Sequence, residues 1–190
     1  GGDAVVDEEG EVGAFVVGVR DGDLVAGGVG GADAVTDQVP IADQVAGKDG
    51  AVDGIAGDGV GVAAVVEHGQ CVARYPISTS KFGLGDRPRS YATPLGWLVV
   101  AAKVGAGAPQ GAVFKGRRFT GEILRPNSRG RDPIVTRILQ LRGLQAGNAR
   151  AFGRGIYIHG TPEERKIGRP ASYGCIRMRS RDVVRVFDAA

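Results

Sequence analysis

The chain has 190 residues, 43% of them hydrophobic, which suits one ordinary domain with a core of its own. Its longest apolar runs, GWLVVAA and GVGVAAVV, fall well short of the roughly 20 residues a membrane-spanning helix needs, so no membrane span is expected. The net charge of +3 hides a division: residues 1–70 carry 2 basic against 14 acidic residues, a balance of −12, and the remainder carries +15.

That division separates two textures. In the first seventy residues Val, Ala, Gly, Asp and Glu account for 58 positions, and Phe15 is the only aromatic. Scattered glycines cost any helix about 1 kcal/mol each, strand alternation is poor, and few large side chains are present to offset chain entropy. Residues 1–61 are therefore expected to be disordered or irregular, as an acidic linker or as a mistranslated region. The second reading arises because all codons of those five residue types begin with G, as in GC-rich DNA read in a wrong frame. No secretory signal opens the sequence, which begins with Gly and so leaves its true start open.

From residue 62 onward short apolar runs alternate with turn signals. VAAVVEHGQCVARYPIS reads as two strands around His68-Gly69; WLVVAAKV, AVFKG, RFTGEIL, IVTRILQL and GIYIHG follow, separated mostly by Gly, Pro, Asn or Asp. The pattern predicts an antiparallel sandwich or barrel. At the end Ser180 can cap a short helix that presents Val183, Val184 and Phe187 on one face. The fold class expected for residues 62–190 is thus mainly β with a short helix behind the last loop.

That loop, HGTPEERKIGRPASYGCIR from His159 to Arg177, contains one of only two histidines and one of only two cysteines. An unperturbed thiol is only a few per cent ionised at neutral pH, and a neighbouring imidazole corrects this by accepting the proton. His159 ends an apolar run expected to be a strand, and Cys175 returns sixteen residues later, far enough to fold back within hydrogen-bond reach. Gly174 admits a positive φ and lets a substrate carbonyl approach, and the N–H groups of Gly174 and Cys175 then suit an oxyanion. Ser172 is placed to bond within the turn, Arg177 to bind a substrate carboxylate or lower the thiol pKa, and a carbonyl of Gly160 or Thr161 to orient His159. Plainer readings stand beside these. A lone Cys is commonly a small buried hydrophobe, a strand-end His is commonly just hydrogen-bonded, and Arg177 has Asp182 nearby to pair with. Cys71 and Cys175 could form a disulfide, while His68 and Cys71 make only half a metal site.

Taken with its context, this stretch resembles the L,D-transpeptidase catalytic domain, the YkuD-like family. IHGT (Ile158 to Thr161) and SYGCIR (Ser172 to Arg177) match its His-Gly and Ser-His-Gly-Cys-x-Arg elements. YPISTSKFG (Tyr75 to Gly83) and YATPLG (Tyr91 to Gly96) match two upstream ones. The resemblance implies a YkuD-like β-sandwich over residues 62–190, with Cys175 as nucleophile and His159 as base. Gly160 would orient the imidazole, Gly174 and Ser172 would shape the oxyanion site, and Arg177, Tyr173 and Thr161 would face substrate. It implies acyl transfer from a peptidoglycan tetrapeptide stem through a thioester to an amine, either a 3→3 cross-link or a protein Lys. Hydrolysis of the same stems, or an inactive peptidoglycan-binding module, are the alternatives. No metal or organic cofactor is implied, acylation by carbapenems is, and the setting would be the cell envelope or periplasm.

Three departures qualify the match. Tyr173 replaces a usual second His, Trp97-Leu98 follow TPLG where a polar or basic residue and an aromatic are usual, and the chain stops at FDAA before a usual final strand. The domain is therefore expected to be C-terminally truncated. Arg117, Arg118, Arg129, Arg131 and Arg179 suit either an anionic envelope polymer or a solvated basic surface. Nucleic acid is not expected, because no aromatic interleaving accompanies the charge.

Overall fold

A computed structural model of the chain describes residues 14–20, 23–29, 61–67 and 70–190, with residues 14–20, 23–29, 66, 67 and 70 described as backbone only. The runs read from sequence become strands: β3 (Gly61–Glu67), β4 (Gln70–Ile77), β5 (Gly96–Val104), β6 (Ala112–Lys115), β7 (Arg118–Ile123), β8 (Ile134–Gly143) and β9 (Tyr157–Gly160). Three strands were not expected. β1 (Ala14–Arg20) and β2 (Asp23–Val29) lie in the segment expected to be irregular, and β10 (Ile176–Met178) follows Cys175 directly. β1 and β2 form because each has partners on both sides, β1 between β2 and β3, β2 between β1 and β5. Apart from Gly61 in β3, the rest of residues 1–61, and with it the choice between linker and misread frame, lies outside the described residues.

The main path of the sheet runs β10-β9-β8-β5-β2-β1-β3-β4, with β6 and β7 branching from β8. Most neighbours are antiparallel as expected, but β1 with β3 and β10 with β9 are parallel. The far ends also meet. Ser78, just beyond β4, bridges Arg177 in β10, and each backbone N–H donates to the other's carbonyl at 2.9 Å. The sheet therefore curls back on itself, and that closure is where the His and Cys segments lie.

One core fills the curl: Ala63, Val65, Ile77, Leu98, Leu139, Leu141, Ile158, Ile176 and Met178 pack with the helix α1 (Ser180–Ala189). Within α1 the buried apolar face is Val183, Val186 and Phe187, while Val184 is only half-buried. Ser180 is the first helical residue rather than the cap. Arg179 holds the cap position without a side-chain bond, and the free Ser180 N–H is met by Glu164 Oε1 at 2.9 Å. A carboxylate at a helix N-terminus is favourable for the helix dipole.

β8 carries an irregularity that matters for the site. Its register against β9 shifts between Val135 and Ile138, and Thr136 there has φ 72°, a left-handed conformation unfavourable for a β-branched residue. Its hydroxyl compensates, accepting from Gly111 N at 2.9 Å and donating to Ser180 Oγ at 2.8 Å. Opposite this bulge is Gly160, where a Cβ would come within 2.6 Å of the Val135 carbonyl. Only glycine lets the two strands approach so closely.

Leu139 is fully buried at the centre of the core. Leu139→Ala is expected to destabilise the domain by about 2–5 kcal/mol in chemical denaturation, without altering the modification chemistry of Cys175.

Candidate active site

Cys175 ends a tight turn held by several hydrogen bonds. Ser172 Oγ donates to the Cys175 carbonyl at 2.6 Å and accepts from Gly174 N at 3.2 Å. Thr79 O receives both Ala171 N and Ser172 N at 2.9 Å, and Thr93 Oγ1 donates to Gly174 O at 3.1 Å. Gly174 has φ 117°, and a Cβ there would lie 3.0 Å from Ile156 Cδ1 and 3.3 Å from Ala92 O. The Gly174 N–H, however, is turned to Ser172, so of the two amides expected at an oxyanion only the Cys175 N–H has no hydrogen-bond partner among the described residues.

His159 is mounted on β9 and Cys175 immediately precedes β10, which runs parallel to β9 with Arg177 opposite His159. Strand alternation puts residues 175 and 177 on the face that carries residue 159, with diagonal neighbours about 7 Å apart, within side-chain reach. The Gly160 carbonyl lies 2.8 Å from His159 Nδ1. A carbonyl only accepts, so Nδ1 carries the proton and Nε2 keeps its lone pair for use as a base. No hydrogen bond joins the thiol to the imidazole among the described residues. The sulfur instead donates to the Gly155 carbonyl at 3.5 Å.

Burial favours the neutral form of both groups. Burial pushes the His159 imidazole down to about 4, helped by the Arg177 charge and resisted by the Gly160 carbonyl. Burial pushes the Cys175 thiol up to about 11, against a backbone hydrogen bond from Tyr157 and the charges of Arg177 and Arg154. The residue is partly exposed as a whole, but its sulfur lies deep. Burial thus disfavours the thiolate–imidazolium pair that the sequence suggests, since it penalises both charges.

Two residues expected to face substrate are interior. Thr161 is fully buried; its hydroxyl donates to Asp132 Oδ1 at 2.6 Å and accepts from Glu163 N at 3.0 Å. The Arg177 side chain is 3% exposed and bonds Asp132 Oδ2 at 2.5 Å, Glu163 Oε2 at 3.2 Å and Ser78 Oγ at 3.2 Å. Its partners are these two carboxylates rather than Asp182. Burial raises Asp132 above the usual carboxylate range against the Thr161 hydroxyl and Arg177. Glu163 is held below its usual value: burial opposes the shift, but Lys166 and Arg177 outweigh it.

Tyr173, by contrast, is 61% exposed beside the Cys175 turn. Its ring lies 5.4 Å from that of Phe82 and 5.9 Å from that of Tyr91, both also exposed, and Lys81 Nζ donates to its hydroxyl at 2.8 Å. Sequence reasoning missed Asp132, Glu163 and Thr93, whose partners sit 14 to 81 residues away. The only available signal was the TP of YATPLG. Cys71 and Cys175 are both free thiols, so the disulfide considered from sequence is not formed, and His68 lies outside the described residues. Of the five arginines considered for an anionic polymer, Arg131 is held bidentate by Glu122, and Arg117 donates a single bond to Gln140.

This constellation has a family. The sequence model of the L,D-transpeptidase catalytic domain, YkuD, matches residues 61–190, and the chain belongs to that family. No curated protein matches the chain. A solved structure described as LD transpeptidase LdtMt1 in complex with imipenem is similar at 16% identity and a TM-score of 0.37, over 94% of this chain and 55% of that one. The chain thus spans little more than half the length of that neighbour.

Two outcomes are expected of the site. With both groups neutral, alkylation of Cys175 by iodoacetamide should climb steadily from about pH 7 to pH 10, read by intact mass. A flat rate below neutral pH, the mark of a preformed thiolate, would contradict this. Arg177→Met should leave Asp132 without its cationic partner and Glu163 with Lys166 alone, and cost on the order of 3 kcal/mol of stability in urea unfolding. This is the lower end for a broken buried pair, because both carboxylates reach solvent.

Proposed function

We propose that the chain acts as a cysteine L,D-transpeptidase on peptidoglycan stem peptides in the cell envelope. The observation that carries this reading is the Gly160 carbonyl on His159 Nδ1, which leaves Nε2 as a base on the strand beside the Cys175 turn. Membership of the YkuD family supports it.

The reaction follows from the neutral resting pair. The Cys175 side chain turns from Gly155 toward His159 as the donor amide carbonyl enters. Nε2 takes the thiol proton while Sγ bonds the carbonyl carbon, so the proton leaves in the same step that makes the sulfur a nucleophile. The carbonyl electrons move to oxygen, where the Cys175 N–H meets them. Collapse breaks the C–N bond, and the leaving terminal D-amino acid takes its proton from His159, leaving a thioester on Cys175. An acceptor amine then attacks the thioester carbonyl, gives a proton to His159, and the departing sulfur recovers it. The acceptor is a diaminopimelate amine or a protein Lys, and water in its place gives hydrolysis. Ser172 and Gly174 hold the turn in shape, Gly160 holds the base, and Tyr173, with Phe82 and Tyr91, forms the exposed wall where a stem peptide rests. Arg177 and Thr161 act from behind the site. No metal or organic cofactor enters these steps. Among the described residues no helix is long and apolar enough to cross a membrane.

Incubation with a carbapenem should give a covalent adduct by intact mass in the parent, none in Cys175→Ala and slow formation in His159→Ala. A folded parent that stays unmodified would point instead to an inactive peptidoglycan-binding module. Product analysis with purified stems then separates cross-linking from trimming.

A further inference from the structure

We propose that Asp86 and Arg154 are positioning residues for Cys175, their ion pair clamping together the two loops that enclose the sulfur. This rests on the reading of Cys175 as the nucleophile. Neither residue belongs to the motifs by which the sequence resembles its family.

The pair is buried, with side chains 2% and 13% exposed, and Arg154 Nη1 lies 2.6 Å from Asp86 Oδ1. The same guanidinium donates to Gly85 O at 3.1 Å and, through Nη2, to Ala92 O at 2.5 Å. Asp86 Oδ2 reaches back to Arg150 N at 2.7 Å. Four bonds thus tie the stretch 85–92 to the stretch 150–154. A buried ion pair contributes little net stability for its desolvation, so its place in the fold calls for another account.

Its place is beside the nucleophile on two sides. The residue after Arg154 is Gly155, whose carbonyl receives the Cys175 thiol. The Ala92 carbonyl that Arg154 holds is the one against which Gly174 packs, and the next residue, Thr93, holds the Gly174 carbonyl. The clamp therefore fixes the acceptor of the sulfur and the backing of the residue before it. Planar bidentate geometry matters here, since one side chain must serve Asp86 and Ala92 together, a task for guanidinium rather than ammonium. The positive charge also favours the sulfur as its proton leaves.

The test uses the whole chain carrying Cys71→Ser, so that only Cys175 reports. Asp86→Asn and Arg154→Lys keep side-chain size and each breaks the clamp. Loosening the two loops should release the thiol from its enclosed pocket toward ordinary thiol behaviour. Iodoacetamide alkylation near neutral pH should then rise about tenfold or more in both variants. Acylation by a carbapenem should fall about tenfold or more, because the turn that presents Cys175 beside the base is no longer held in place. Leu139→Ala, which removes core packing without touching the clamp, serves as control and should keep the parental alkylation profile. Two results would overturn the proposal: parental alkylation in both clamp variants despite lowered thermal stability, or a changed profile in the Leu139→Ala control to match theirs. If Asp86→Asn does not fold, the milder Arg154→Lys decides. A parent that alkylates but is never acylated refutes the transpeptidase reading, while the alkylation comparison still decides the clamp.

Discussion

The site depends on a three-residue strand. β10 lies parallel to β9 so that Arg177 faces His159, and it also meets Ser78 beyond the end of β4. That double pairing closes the sheet and brings a loop end and a strand end into register. Parallel neighbours cannot be joined by a tight turn, and here the connection from Gly160 to Ile176 supplies the crossover and holds the Cys175 turn. The same pairing draws in β8, whose bulge at Thr136 would collide with any residue but glycine at 160. Gly160 in turn supplies the carbonyl that orients the imidazole. Strand closure, bulge and base are one mechanical unit.

Electrostatics around that unit follow from enclosure. Burial alone would leave thiol and imidazole unwilling to charge, and two buried arginines temper this for the sulfur. Each arginine is in turn neutralised by carboxylates, Arg177 by Asp132 and Glu163, Arg154 by Asp86. The result is a pocket with fixed dipoles and little net charge of its own. Such a pocket suits a reaction whose charge appears only as bonds form, because its groups need not reorganise when it does. The aromatic cluster of Phe82, Tyr91 and Tyr173 lies exposed beside the turn, and the charged partners stay behind it.

Tyr173 illustrates how a departure from a family pattern is absorbed. The position points outward, so a larger ring meets solvent and two neighbouring rings rather than the core. The turn itself is held by Ser172, Thr79 and Thr93 through backbone groups that do not depend on residue 173. Substitution at this point changes what the mouth of the site presents and leaves its frame alone.

By itself the sequence determined the strands from β3 to β9, the closing helix, and the pairing of His159 with Cys175 as the chemistry to look for. Those features are local: alternation, turn residues and short motifs act over a few positions. Tertiary structure alone decided which strands run parallel, that β1 and β2 enter the sheet, and that Arg177 and Thr161 turn inward. It also decided that the Gly174 N–H goes to Ser172, that Asp132 and Glu163 meet Arg177, and that Asp86 meets Arg154. These depend on partners tens of residues apart, and on burial, which sets the cost of every charge. A residue's chemistry is written in its side chain, but whether that side chain meets substrate, carboxylate or water is settled only when the distant segments close.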